Sequence, residues 1–201
     1  LADSAAVRVD AGATLTLDGS DRIDRLQLAG TLDGRGTLST TQTQLLGSTV
    51  GADLAGATLD SRGSSRIDGI AAFGRIEVRD GTLALGSAGR LAADPALRIE
   101  PGAVLALGGN ETLGSLAGVG RVALGSFTLH TGAGGSSSFA GVIEGDGSLV
   151  KLGADTTFGL TGDNTYRGST WVAAGVLAVG DGERAGAIAA TRDIRVDGTL
   201  Q

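Results

Sequence analysis

The sequence predicts an all-β protein, a right-handed parallel β-helix (solenoid) of about nine coils of roughly 23 residues, on three observations. Glycine supplies 36 of 201 residues while proline supplies only 2, and 41% of the chain is hydrophobic. That is the make-up of a chain that folds and turns often, not of a disordered linker. Aromatic residues reach only 3%, so the core must be built from Leu, Val, Ile and Ala, which suits a narrow stack of aliphatic side chains. The third observation is repetition.

A strand–corner–strand pattern returns in VRVDAGATLTL (7–17), IEVRDGTLAL (76–85), LRIEPGAVLAL (97–107), TWVAAGVLAV (170–179) and IRVDGTL (194–200). Val7 and Val9 lead to Gly12 and then to Leu15 and Leu17; Ile76 and Val78 lead to Gly81 and then to Leu83 and Leu85. Alternation with period two puts these apolar side chains on one face of a strand, and glycine supplies the φ > 0 corner. The corners Gly12, Gly81, Gly102, Gly175 and Gly198 are spaced as multiples of about 23, and Gly36, Gly56, Gly125 and Gly147 fill the intervening places. A unit of that length is one coil of a solenoid, and about nine coils would make a rod roughly 40 Å long. An antiparallel sandwich also turns every ~8–12 residues, but gives no reason for whole units to recur. No helical period persists, and the Ala-rich stretch ERAGAIAATRD (183–193) reads as a loop with a partial turn.

Composition excludes several functions. Net charge is −6, and the single lysine, Lys151, and the arginines form no run, so no basic patch is available to neutralise nucleic-acid phosphates. With no cysteine, disulfides and thiolate metal sites are out, which suits a chain that crosses the periplasm unfolded. No apolar run reaches the ~18 residues of a spanning helix, so no direct membrane insertion is expected. The opening LADSAAVRVD has neither the charged nor the apolar region of a signal peptide. Both ends fall in mid-pattern, so residues 1–201 read as one β-helix fragment of a longer chain.

Residues 136–182, SSSFAGVIEGDGSLVKLGADTTFGLTGDNTYRGSTWVAAGVLAVGDG, carry a more specific pattern. Gly147, Leu149, Lys151 and Gly153 are followed by Leu160 and Gly162. Asn164, Thr165, Tyr166, Gly168 and Thr170 come next, and Gly175, Leu177 and Gly180 close the pattern. This resembles the passenger-associated transport repeat, also called the autotransporter-associated beta strand repeat, of bacterial autotransporter passenger domains. Two departures are Phe158, in place of an aliphatic core residue, and Trp171 beside Thr170. Upstream, LALGGNETLGSLAGVGRVALG (105–125) also looks like a coil of that family. The resemblance implies a parallel β-helical stalk that assists export and folding. It implies passage through an outer-membrane β-barrel translocator of the same polypeptide, outside this chain. Display or release at the bacterial cell surface would follow, with adhesion to host, matrix or sister-cell surfaces, or autoaggregation. The alternative is the scaffold of a glycan-active enzyme, or the stem of a hydrolase encoded elsewhere.

Candidate chemistry within the chain is sparse, and no catalytic activity or cofactor is expected. His130 is the only histidine, and no G-x-S-x-G elbow accompanies it, so a serine triad is not assembled. Zinc would need more ligands than one histidine offers. The turns GDGSL (145–149), GDN (162–164) and GDGE (180–183) are isolated, not the tandem acidic nonapeptides that bind calcium. Glu77 and Glu100 lie on adjacent coils, where a glycosidase could hold a carboxyl pair, but no long insertion is present to wall a cleft. The Thr14/Thr16 and Thr41/Thr43 pairs are not repeated in every coil, which argues against ice binding. Asn164 and Tyr166 read as structural: an inward or corner amide, and a packed ring whose hydroxyl finds a partner. The expected outcome of chelation is a melting temperature unchanged within about 2 °C, since a metal at 100 times its Kd would add ~2.7 kcal/mol. A larger loss with EDTA that calcium restores would show an ion in the GDG turns.

Overall fold

The computed structural model describes every residue except Leu1, Ala93, Arg184, Ala185 and Ala189. Three of these fall in the stretch expected to be a loop with a partial turn, so that expectation lies partly outside the described residues. Its described remainder contributes an isolated bridge between Asp163 and Ala187.

Alternating apolar residues form short strands, and each strand lies parallel to its counterpart one coil away. The result is a parallel β-solenoid of about 9 turns, with no helix among the described residues. A long sheet starts at Ala6–Val9 and Arg25–Leu28, passes through Thr37–Leu46, Asp53–Arg62 and Ala71–Val78, and ends at Val176–Val179 and Thr199–Leu200. A second sheet runs from Thr14–Asp18 to Val142–Glu144, and a third from Glu111–Leu113 to Ile194–Val196. In the first half, the ten-residue strands Thr37–Leu46 and Asp53–Arg62 bend across two faces without breaking. Two successive outward residues, 41–42 and 57–58, mark each bend. In the second half, glycine-containing turns separate those faces into two sheets.

The core is a set of stacked columns. Leu26 lies under Thr43, then Leu59, Ile76, Leu97 and Leu116. Leu83, Leu105, Val122 and Ile143 stack likewise in the second sheet. Of the Thr41/Thr43 pair, Thr43 points inward and shares a 2.7 Å hydrogen bond with Thr40, which is also buried. That bond satisfies both hydroxyls inside the narrow core.

The coil length and corner series differ from those expected. Arg25 pairs with Gln42, Gln42 with Thr58 and Thr58 with Arg75, steps of 17, 16 and 17 residues. Val176 pairs with Thr199, a step of 23. The uniform 23 arose from joining glycines of different corners. Gly12, Gly81 and Gly102 lead from the long sheet into the second, whereas Gly175 and Gly198 lead from the third sheet into the long one. Gly36 leads from the second sheet into the long one, Gly125 and Gly147 from the second into the third, and Gly56 lies inside a strand. Glycine recurs at a corner because coils stack there in close contact. A Cβ on Gly141 would strike the carbonyl oxygen of Gly120, and one on Gly162 that of Gly141.

Leu105 is fully buried between Leu83 and Val122, while its neighbour Ala106 faces outward. Leu105→Ala should destabilise the chain by about 2–5 kcal/mol in urea unfolding, and Ala106→Ser by less than about 0.5 kcal/mol. Equal effects would contradict this register.

Candidate functional site

The third sheet carries two inward columns, and both contain polar residues. One runs Glu111, Leu129, Leu149, Thr170 and Ile194; the other runs Leu113, Thr131, Lys151, Val172 and Val196. The single lysine therefore sits in a core position. Lys151 is fully buried, its stem lying over Gly132 and its ammonium reaching the corner before the long sheet. There the ammonium donates to the carbonyl oxygens of Leu152, Gly153 (3.0 Å) and Ala174 (3.3 Å) and to Thr156 Oγ1 (2.8 Å). Ala174 belongs to the next coil, so the cation ties two coils at their shared corner. Gly153 and Gly175 stack at that corner with positive φ, and a Cβ on Gly175 would meet both the Gly153 carbonyl and Lys151 Nζ. Burial pushes the Lys151 ammonium below the usual lysine range.

A second polar knot lies at the opposite side of the same coils. Asn164 is buried; its Oδ1 accepts the Ile143 N–H of the coil before (3.0 Å), and its Nδ2 donates to Gly162 O (2.9 Å) and Ala187 O (3.1 Å). One amide thus bridges three coils where the second sheet stops at Val142–Glu144. Tyr166 is buried too, with its hydroxyl 2.6 Å from Thr170 Oγ1, which lies 3.0 Å from Thr191 Oγ1. Thr191 closes the chain by donating to Gly168 O (2.7 Å). Burial raises the Tyr166 phenol above its ordinary range, against the opposing hydrogen bond with Thr170.

These two knots account for the spacing within 136–182. Gly147 and Gly168 stack at one corner, Gly153 and Gly175 at another, and Gly141 and Gly162 at the third. Leu149, Leu160 and Leu177 fill the core between them, with Phe158 beside Leu160 and fully buried. Thr165 faces outward, and Gly180 turns with positive φ after the strand Val176–Val179. Trp171 does not join the core. It is 37% exposed, with the Arg195 guanidinium 4.8 Å from its ring centroid and its indole N–H on Asp197 (2.9 Å).

The other candidates stay apart. His130 is half-buried on the outward side of its strand, between Thr112 and Val150. Glu77 is bridged by Arg75 and Arg79, and Glu100 by Arg98, so the carboxyls on these neighbouring coils are engaged by arginines. Asp146 faces solvent near Arg167 (3.7 Å). Asp181 Oδ1 accepts the Glu183 N–H (3.0 Å), as a turn aspartate does. Two residues that matter were missed in the sequence. Glu111, inside GGNETLG, is buried and accepts the N–H groups of Arg90 (2.7 Å) and Leu91 (3.1 Å), replacing a strand neighbour with a carboxylate. Desolvation raises its pKa above the usual glutamate value, against those two bonds. Thr191 lies in the stretch read as a loop and showed no local signal.

Comparison with known proteins adds a relation that the geometry does not contain. Part of the chain is similar to an extracellular serine protease of Serratia marcescens. The similar stretch is 63 residues long and 46% identical, covering 31% of this chain and 6% of that protein. The chain therefore spans a small part of that relative's length. No family model matches the chain, and no solved structure matches it.

Lys151→Met keeps the buried stem but leaves the corner oxygens without their cation, and should cost about 1–3 kcal/mol at neutral pH. Because the folded-state pKa lies below the ordinary 10.5, the unfolded chain binds more protons as pH rises towards that value. The native protein should therefore gain stability relative to Lys151→Met through that window, and gain none above 10.5. Urea midpoints of both proteins across alkaline pH check the sign; a flat difference would place the ammonium in solvent.

Proposed function

We propose that the chain is a stalk segment of an exported bacterial passenger, in which the coils of 136–182 assist folding outside the cell. The carrying observation is that the transport-repeat pattern coincides with the buried Lys151 and Asn164–Tyr166 knots, each tying successive coils. In a solenoid, folding spreads from a stable coil to its neighbours. A seed of this kind would favour retention of emerging chain outside the pore of a β-barrel translocator. The partial similarity to an extracellular protein supports secretion, and the destination in this reading is the cell surface. In this reading the segment carries no active site of its own, and its outer faces serve adhesion or autoaggregation. A second reading, the stem of a hydrolase encoded outside the chain, is favoured by the similarity to a serine protease in particular.

In the full-length protein, Tyr166→Ala should reduce surface yield, measured by protease accessibility on whole cells, and destabilise the isolated chain by about 3–5 kcal/mol. Asp163→Ala, at an exposed side chain whose bridge to Ala187 is made by backbone alone, should change neither. Normal export of Tyr166→Ala with loss of adhesion would make the motif a binding site and refute the folding role. Full hydrolytic activity with no adhesion would favour the stem.

A further inference from the structure

Away from the buried knots, the outer face of the long sheet changes along the axis. In the first coils its outward positions form two rows, Arg25–Gln42–Thr58–Arg75 and Gln27–Gln44–Asp60–Glu77. Further on, the second row continues as Arg98 and Ala117, and later Ser138 pairs with Gly159, so tall polar side chains give way to a flat surface. The tall stretch encloses a shallow trough of about 720 Å³ that follows the axis across five coils. Its floor is strand backbone at Leu26, Thr43 and Leu59, whose side chains are buried.

Arginines outnumber carboxylates four to two among the side chains lining the trough, although the chain is acidic and Arg8 pairs with Asp10 just outside it. Arg8, Arg25, Arg75 and Arg79 line it against Asp60 and Glu77, in a chain of net charge −6. Both carboxylates are already engaged, Asp60 by Arg62 and Arg79, and Glu77 by Arg75 and Arg79. Ligand-binding capacity is concentrated in the earlier coils. The Arg25 side chain is 65% exposed and 3.4 Å from Asp24. Gln27 donates to Gln44 Oε1 (2.9 Å), which orients both amides and leaves the Gln44 NH₂ and the Gln27 oxygen for a ligand. The Gln42 side-chain amide makes no hydrogen bond among the described residues, while its backbone N–H donates to Asp24 O.

We propose that this trough binds a linear acidic polysaccharide, a polyuronate, lying along the solenoid axis. The strands repeat every ~4.8 Å, close to the length of one pyranose unit in an extended glycan, so each coil can meet one sugar. Side-chain amides donate and accept side by side, as vicinal hydroxyls require, and the guanidinium fork fits a carboxylate. An extended peptide fits less well. The trough lies on a sheet face, where backbone groups are already paired between coils, so strand addition is closed, and no apolar pocket waits for a side chain. Hydrolysis of the glycan is not part of the proposal, because the two carboxylates lining the trough are held in ion pairs. The proposal names a ligand for the adhesive role above, but stands on the trough alone. Binding by the isolated chain tests it independently of export.

The experiment is calorimetric titration of the chain with oligogalacturonates of increasing length, with dextran, dextran sulfate and polyglutamate as further probes. Affinity should rise with oligogalacturonate length and level off at about five sugars, one for each coil of the trough. Arg25→Ala and Gln42→Ala should each weaken binding about tenfold. Arg167→Ala, on another face, should leave it unchanged, and circular dichroism should show every variant folded. Absence of oligogalacturonate binding, or unaltered affinity in the Arg25 and Gln42 variants, would overturn the proposal. Equal binding of dextran sulfate or polyglutamate would overturn it in favour of charge alone, and equal binding of dextran would remove the requirement for acid.

Discussion

Parallel stacking of each strand on its counterpart one coil away is the constraint from which the other features follow. Strand backbone groups of a coil are satisfied by the coils above and below, so no coil can bury its apolar stripe or its amides alone. Any inward side chain must therefore match its column, which is why Leu, Val and Ile recur from Leu26 to Leu116 and from Leu83 to Ile143. Corners obey the same rule more strictly. Where backbones of successive coils touch, as at Gly120, Gly141 and Gly162, a side chain on one would collide with the carbonyl of another.

A core only a few side chains wide has little apolar area to offset buried polarity, yet this one admits a lysine, a glutamate, an asparagine and a tyrosine. The first three are held by hydrogen bonds reaching another coil, and the tyrosine reaches the next coil through Thr170 and Thr191. Lys151 binds the Ala174 carbonyl, Glu111 the Arg90 and Leu91 amides, Asn164 the Ile143 amide and the Ala187 carbonyl. These groups resist longitudinal slippage in a way that stacked leucines do not. Every aliphatic residue accepts another as its neighbour, whereas an ammonium displaced by one residue loses its oxygens. Small hydroxyls are treated more loosely: Ser61, Thr131 and Ser137 bury their oxygens without a protein partner among the described residues.

The two ends of the rod thereby take different work. Register-setting polar groups gather in the later coils, beneath a long-sheet face that is flat and poor in charge. The earlier coils keep a largely aliphatic interior and carry amides, arginines and carboxylates outside. Separating internal register from external chemistry in this way leaves the outer rows free to vary without disturbing the stack, since alternation keeps them out of the core.

The strands, the inward leucines and the parallel solenoid were legible in the sequence because alternation and glycine corners are local signals, complete within some ten residues. The coordinated spacing of 136–182 was legible too, because the residues that stack there recur at nearly constant separation. Tertiary structure alone decided the rest. The coil step varies from 16 to 24 residues, and glycine occupies all three corners, so no local feature says which corner a given glycine turns. Without that phase, the rows Arg25–Gln42–Thr58–Arg75 and Gln27–Gln44–Asp60–Glu77 are scattered polar residues. The same ignorance hid the inward place of Lys151 and Glu111 and the outward one of Trp171. Which face a side chain takes is a two-way choice set by strand register. In this fold, register is fixed by hydrogen bonds to residues a full coil away, not by anything adjacent in the chain.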